Sequence, residues 1–203
     1  MPELNTVTDP NLPEPKGAST ANTNTFYVSN GAGSGSWKTA YLQGWYDYAD
    51  TGTSQPLTSG SWVNLTNDGL GSNTRDTYKL PGYGAIWDTS NNQFDWSGAG
   101  LQLGDTVDIR PDITFTTSGA NDAISLRLDM ASGDAGEFPL VITKRGIKTA
   151  GTTQVTDFFS VYMGTTLVLN NPAKLSAWTD NTGNSVSVAG WYVRVIPRNP
   201  VFL

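Results

Sequence analysis

Apolar side chains recur at every second residue through much of positions 101–130, and this stretch sets the expectation for the whole chain. Leu101, Leu103, Val107, Ile109, Ile113 and Phe115 hold odd positions, while Gln102, Thr106, Asp108, Arg110, Asp112 and Thr114 hold even ones. Successive side chains of a strand point to opposite faces, so the odd set predicts a dry face and the even set a wet one. After the turn-forming run Ser118-Gly119-Ala120-Asn121-Asp122, the apolar set returns on even positions at Ile124, Leu126, Leu128 and Met130. A period of 3.6 would scatter either set around a helix axis. Two consecutive half-buried strands are predicted, and the rest of the chain must supply the other half of their core.

The same reading finds a strand over 37–48 broken near Gly44, a short one over 62–65, and further strands over 138–142, 158–163, 166–169, 173–178 and 186–196. Between 78 and 100 the chain reads as loop, anchored by Ile86, Trp87, Phe94 and Trp96. In the last strand Val186 and Val188 lie on one phase and Trp191, Val193 and Val195 on the other, which predicts a bulge at Gly190. About eight to ten strands and no helix give an all-β chain, a two-sheet antiparallel sandwich or a jelly roll.

Composition narrows the function classes. Hydrophobic residues make up 37% and charged residues 15% of the chain, leaving a surface rich in Ser, Thr, Asn and Gly. Aromatics reach 11%, so large rings replace part of the missing aliphatic volume. A net charge of −6 with no basic run argues against nucleic acid or an anionic membrane as partner. Without Cys or His there are no disulfides, no thiolate chemistry, no imidazole base and no common zinc ligand. No cofactor or metal is expected. The start MPELNTVTDP has neither a basic n-region nor an apolar core, and no run is long enough to span a bilayer, so the expectation is a soluble protein that is not secreted.

The N-terminal region differs from the rest. Pro2, Pro10, Pro13 and Pro15 fall in a stretch with few large apolar side chains, an extended arm that gains order only against another copy or a larger assembly. Gly31-Ala32-Gly33-Ser34-Gly35-Ser36 lacks the Lys-Ser/Thr of a phosphate loop and reads as a linker. The predicted division is therefore an arm and linker over 1–35 and a β-sandwich over 36–203.

Any catalysis must use carboxylates. Only Glu137 lies outside the arm among the three Glu residues, so a glycosidase would use Asp47 with Asp50, or Asp108 with Asp112. Arg110 between Asp108 and Asp112 makes that row a set of ion pairs, which would keep each carboxylate ionised. Asp88, Ser90 and Asn92 alternate like the start of a calcium loop, but Gln93 and Ala99 stand where Gly and Glu belong, so an Asx-rich turn is expected. Trp45, Trp87 and Trp96, flanked by loop residues, are the candidates for stacking on sugar rings.

The series LPGYGAIWDTSNNQFDWSGAGLQLGDTVDIRPDITFTT, then DAISLRLDM, KTAGTTQV and NSVSVAGWYVRVIP, resembles the jelly-roll module of the C1q and tumour-necrosis-factor-like class. In particular it is similar to the version found in virion proteins of tailed bacteriophages, as capsid decorations, head fibres or fibre knobs. The resemblance covers roughly residues 60–197. It implies a non-enzymatic structural protein of the virion, assembled in the host cytoplasm, with three copies around an axis. Carried over to this sequence, the trimer contact falls on strands holding Phe158, Val161, Tyr162, Trp191 and Val193. The Pro-rich arm, through Leu4, Pro10, Leu12, Pro13 and Pro15, replaces the collagen-like stem of animal relatives and would anchor the knob to the major capsid protein or another virion protein. It also implies that the two strands of 101–130 cross between sheets at Ser118–Asp122, where periodicity alone equally allows a hairpin. The alternative function is a carbohydrate- or receptor-binding module at a fibre tip.

Overall fold

The computed structural model describes residues 25–30 and 35–203. The arm residues Leu4, Pro10, Leu12, Pro13 and Pro15 lie outside the described residues, as do positions 31–34 of the Gly-rich run. In chain order the strands are β1 (Thr25–Ser29), β2 (Gly35–Tyr41), β3 (Gly44–Ala49), β4 (Ser54–Pro56), β5 (Val63–Asn64), β6 (Trp87–Asp88) and β7 (Gln93–Phe94). The long strands β8 (Thr106–Thr117), β9 (Asp122–Met130) and β10 (Phe138–Ile147) follow, then β11 (Gly151–Val155) and β12 (Phe159–Tyr162). A one-turn helix α1 (Thr166–Asn170) precedes β13 (Lys174–Thr179), β14 (Ser185–Ile196) and β15 (Val201–Phe202).

The chain divides into two compact units, with one border between Tyr41 and Leu42 and the other between Asn199 and Pro200. In the smaller unit β2 sits between β1 and β15 in an antiparallel sheet, so segments from the two ends of the described chain share one ladder. Edge-to-face rings fasten it, Phe26 against Phe202 at 6.5 Å and Tyr27 against Trp37 at 5.5 Å. The aromatic run 37–48 is thus two strands, and the break before Gly44 is the border between units. Gly44 is required there, because a Cβ would stand 2.4 Å from the backbone nitrogen of Leu80.

The larger unit, Leu42–Asn199, holds two main antiparallel sheets, one ordered β10-β9-β13-β5 and the other β11-β8-β14-β3, with β12 also on β8 and β4 also on β14, besides the small β6-β7 pair. Taking β11 and β12 as one interrupted strand, the first of eight main strands (β3) pairs with the last (β14) and the second (β5) with the next to last (β13). The third pairs with the sixth and the fourth with the fifth. That nested order is a jelly roll. β8 and β9 lie in different sheets, so the chain crosses between them at Ser118–Asn121 instead of forming a hairpin. The corner is pinned by the wholly buried Asp122, whose carboxylate accepts hydrogen bonds from the side-chain amides of Asn181 and Asn184.

Alternation builds the core as expected. Val107, Ile109, Ile113 and Phe115 of β8 face Ile124, Leu126 and Leu128 of β9, and all are fully buried. The register of β14 shifts between Val188 and Gly190, so both of its apolar phases turn inward and Val186, Val188, Trp191, Val193 and Val195 are all buried. The loop from Leu80 to Leu101 exposes its polar residues but buries its apolar anchors. Its Trp87 and Phe94 pack with Trp191, and the Trp96 ring lies parallel to that of Phe94 with centroids 5.4 Å apart.

Two local expectations are corrected. Residues 166–169 form a turn of helix, not a strand: the Thr165 hydroxyl accepts from the Val168 amide at the start, and the Asn171 side chain donates to the Leu167 carbonyl at the end. These caps outweigh the β-preference of so short a segment. Leu103 is also not in a strand, because the turn closed by Asp105 N–H to the Gln102 carbonyl, with Gly104 at φ 96°, postpones β8 to Thr106 and leaves Leu103 exposed.

Candidate functional site

On the face of β3, β14 and β8 turned away from the core, three cross-strand rows form a regular grid. Arg194 stands between Trp45 and Asp108, Tyr192 between Asp47 and Arg110, and Gly190 between Ala49 and Asp112. Their strand neighbours Tyr46, Tyr48, Trp191, Val193 and Ile109 point inward and are buried, so the alternation that makes the core also makes this face. A wall rises along the outer edge of β3. Residues 71–78 pair with it through Asp47 N–H to the Arg75 carbonyl, Arg75 N–H to the Asp47 carbonyl, and Trp45 N–H to the Tyr78 carbonyl, all at 2.8–2.9 Å. Floor and wall enclose an open cleft of about 750 Å³, a size suited to a small ligand.

The floor is aromatic. The rings of Trp45 and Tyr192 lie 5.2 Å apart at 38°, Arg194 sits 5.3 Å from the centre of the Trp45 ring, and Arg110 sits 5.1 Å from that of Tyr192. Both guanidinium groups also have carboxylate partners. Arg194 Nε donates to Asp108 Oδ2 at 2.8 Å, and Arg110 donates to Asp112 at 3.2 Å. Asp47 has its pKa raised by burial, against the opposing pull of Arg75 and Arg110. Tyr192 is likewise raised, chiefly by burial.

The sequence-predicted residues separate cleanly. Trp45 lines the cleft, whereas Trp87 and Trp96 are buried at 3% and 0% exposure and cannot touch a sugar. Asp47 lines the cleft, but Asp50 turns away to accept from the amides of Gly52 and Asp68. Asp108 and Asp112 are held in ion pairs as the row pattern predicts, although Asp108 takes Arg194 rather than Arg110. Asp88 caps an Asx turn by accepting from the Ser90 and Asn91 amides, and no metal-holding cluster occurs among the described residues.

Of the residues assigned to a trimer contact, Val161, Trp191 and Val193 are buried inside a single chain, whereas Phe158 and Tyr162 are 57% and 63% exposed. The latter two belong to the side of the sandwich where β10 and β12 are the outer strands, tied together by the Arg145–Asp157 ion pair at 2.8 Å. β10 adds exposed Phe138, Leu140 and Val141 to that side.

Sequence reading misses Arg75, Tyr78, Tyr192 and Arg194. Tyr192 and Arg194 had a signal, since they alternate with Trp191, Val193 and Val195. The wall had none, because residues 71–78 carry no periodicity.

The chain matches no known protein-family model and no curated protein sequence. Solved structures with similar backbones include the derived T=1 particles of infectious bursal disease virus, at 12% identity and a TM-score of 0.45 over 86% of this chain and 38% of that one. A xylan-binding domain from Paenibacillus barcinonensis is similar at 8% identity and a TM-score of 0.37, over 79% of this chain and 96% of that one. The PRD1 vertex protein is similar at 12% identity and a TM-score of 0.31, over 75% and 92% respectively. The chain spans about two fifths of the length of the infectious bursal disease virus chains it matches.

Proposed function

We propose that this chain is a non-enzymatic structural protein of a tailed-phage virion: a jelly-roll knob that assembles as a homotrimer and is anchored to the particle through its Pro-rich N-terminal segment. The observation that carries the reading is the crossing of β8 and β9 between sheets at Ser118–Asn121. Hydrophobic alternation permits a hairpin there, whereas the resemblance to phage jelly-roll modules requires the crossing. The copies meet through the side bearing Phe158, Tyr162, Phe138, Leu140 and Val141, whose apolar area has no partner in one chain among the described residues. Light scattering on the purified chain tests the assembly, with a trimer expected and a folded monomer at micromolar concentration refuting it. Removing residues 1–24 tests the anchor, since the knob should fold and trimerise but no longer join particles.

A second reading, that the knob binds a saccharide, is favoured by the cleft. Trp45 and Tyr192 form an aromatic floor of two rings tilted by 38°, and amide, hydroxyl, carboxylate and guanidinium groups surround it. Binding of a panel of oligosaccharides followed by tryptophan fluorescence is the direct measurement, and a panel without any hit removes this reading.

A further inference from the structure

Resting on that second reading, we infer that the cleft over β3, β14 and β8 takes a neutral saccharide and holds it without cleaving it. The charge pattern decides the first part. The carboxylates and guanidinium groups lining the cleft are Asp47, Asp112, Arg75 and Arg110, two of each sign, so the cleft offers no net charge. Arg110 is engaged twice over, by the Asp112 carboxylate at 3.2 Å and by the face of Tyr192. Arg194, at the margin, is committed to Asp108 and to the Trp45 ring. An acidic sugar that drew Arg110 or Arg194 would leave Asp112 or Asp108 unpaired, and at Arg75 it would compete with the Asp47 carboxylate, whose charge Arg75 favours.

A neutral sugar meets no such conflict. Its C–H face lies on Trp45 and Tyr192, and its hydroxyls both donate and accept. Asp47 supplies acceptors, Arg75 supplies donors from the wall, and Asn73 and Thr77 supply both. The ring carbons of a pyranose complement aromatic faces, while a hydroxyl pair matches the fork of a carboxylate or guanidinium.

The second part follows from the same pairs. Glycoside hydrolysis needs one carboxyl group that gives a proton and another that acts as base or nucleophile. Asp47, whose pKa burial raises, has Asp112 as its only carboxylate companion among the residues lining the cleft. Asp112 is spent on Arg110. The ion pair leaves the second carboxylate ionised but holds it on Arg110 at the floor, away from a sugar lying above.

The test is titration of the full chain, by calorimetry and tryptophan fluorescence, with neutral cello-, manno-, malto- and xylo-oligosaccharides and with oligogalacturonate and sialyllactose. Binding by at least one neutral series and not by the acidic ones is expected, with the bound sugar recovered intact by chromatography. Tyr192→Ala should weaken that binding by about tenfold, the effect of losing one stacking face. Tyr78→Ala, at a side chain 72% exposed, gives a smaller loss in a variant whose folding is not in question. Acidic sugars binding as tightly as neutral ones would overturn the neutral assignment and leave the saccharide reading standing. Recovery of shortened oligosaccharide would overturn the claim of binding without cleavage. No binding by either class would remove the saccharide reading itself.

Discussion

Asp108 and Arg194 face each other across β8 and β14, and the Arg194 Nε donates to an Asp108 carboxylate whose side chain is only 5% exposed. The second carboxylate oxygen of Asp108 accepts from the Ser160 hydroxyl, so three strands of the sheet are cross-tied at one acid. Removing Asp108 strands a guanidinium whose side chain is two-thirds covered. Asp108→Ala is expected to cost about 2–3 kcal/mol, below the usual toll for a fully buried pair because Arg194 keeps some water. Urea unfolding measures it, and the double variant with Arg194→Met should recover part of the loss.

Gly190 makes a second prediction. A Cβ there would stand 2.7 Å from the Tyr48 carbonyl oxygen and 3.1 Å from the Ala49 Cα, both in the neighbouring β3. Gly190→Ala must therefore push β3 and β14 apart at the bulge. A loss of roughly 1–3 kcal/mol is expected in thermal or urea unfolding, together with weaker ligand binding, because Gly190 also lines the cleft.

The fully buried Trp191 and the exposed Phe158 and Tyr162 should respond in opposite ways. Trp191→Ala opens a cavity beside Trp87 and Phe94 and is expected to cost about 3–5 kcal/mol of stability within one chain. Phe158→Ser with Tyr162→Ser should leave unfolding of the single chain nearly unchanged while lowering the mass seen by light scattering. The reverse pattern would return the subunit contact to β14.

Acid should act on the corner between the sheets. Hydrogen bonds from Asn184, then Asn181, hold the Asp122 carboxyl below its ordinary pKa. A depressed folded pKa means that the stabilisation is present above the unfolded value of about 3.9 and is lost as pH falls through the folded one. Asp122→Asn should therefore be less stable than the parent at neutral pH, with the difference shrinking as the solution is acidified below about pH 4. Unfolding midpoints measured across that range check the sign.

The parts of the fold legible in the sequence were those set by side-chain period. The dry faces of β8 and β9, the break before Gly44 and the bulge at Gly190 each follow from residues adjacent in the chain. The route between sheets did not, because Ser118–Asp122 turns the chain without declaring where it goes, and the partners that fix Asp122 lie some sixty residues away at Asn181 and Asn184. Trp87 and Trp96 misled for a related reason. Their neighbours Asp88, Ser90, Asn91, Asn92, Asp95 and Ser97 are polar, but the loop folds back on its own rings. The cleft was half visible: Trp45 and Asp47 lie in a run that alternates, while Arg75 and Tyr78 reach it only because their segment lies along β3.

The borders of the sandwich carry a consequence for crowding. β3 is covered by residues 71–78, β5 is two residues long, β11 and β12 are interrupted, and β10 has Pro139 and an irregular register between Val141 and Thr143. None of these offers a neighbour a long, regular row of free amides and carbonyls on which to add a strand. Copies held at high concentration can thus press against one another by their side chains without zipping edge to edge into fibrils.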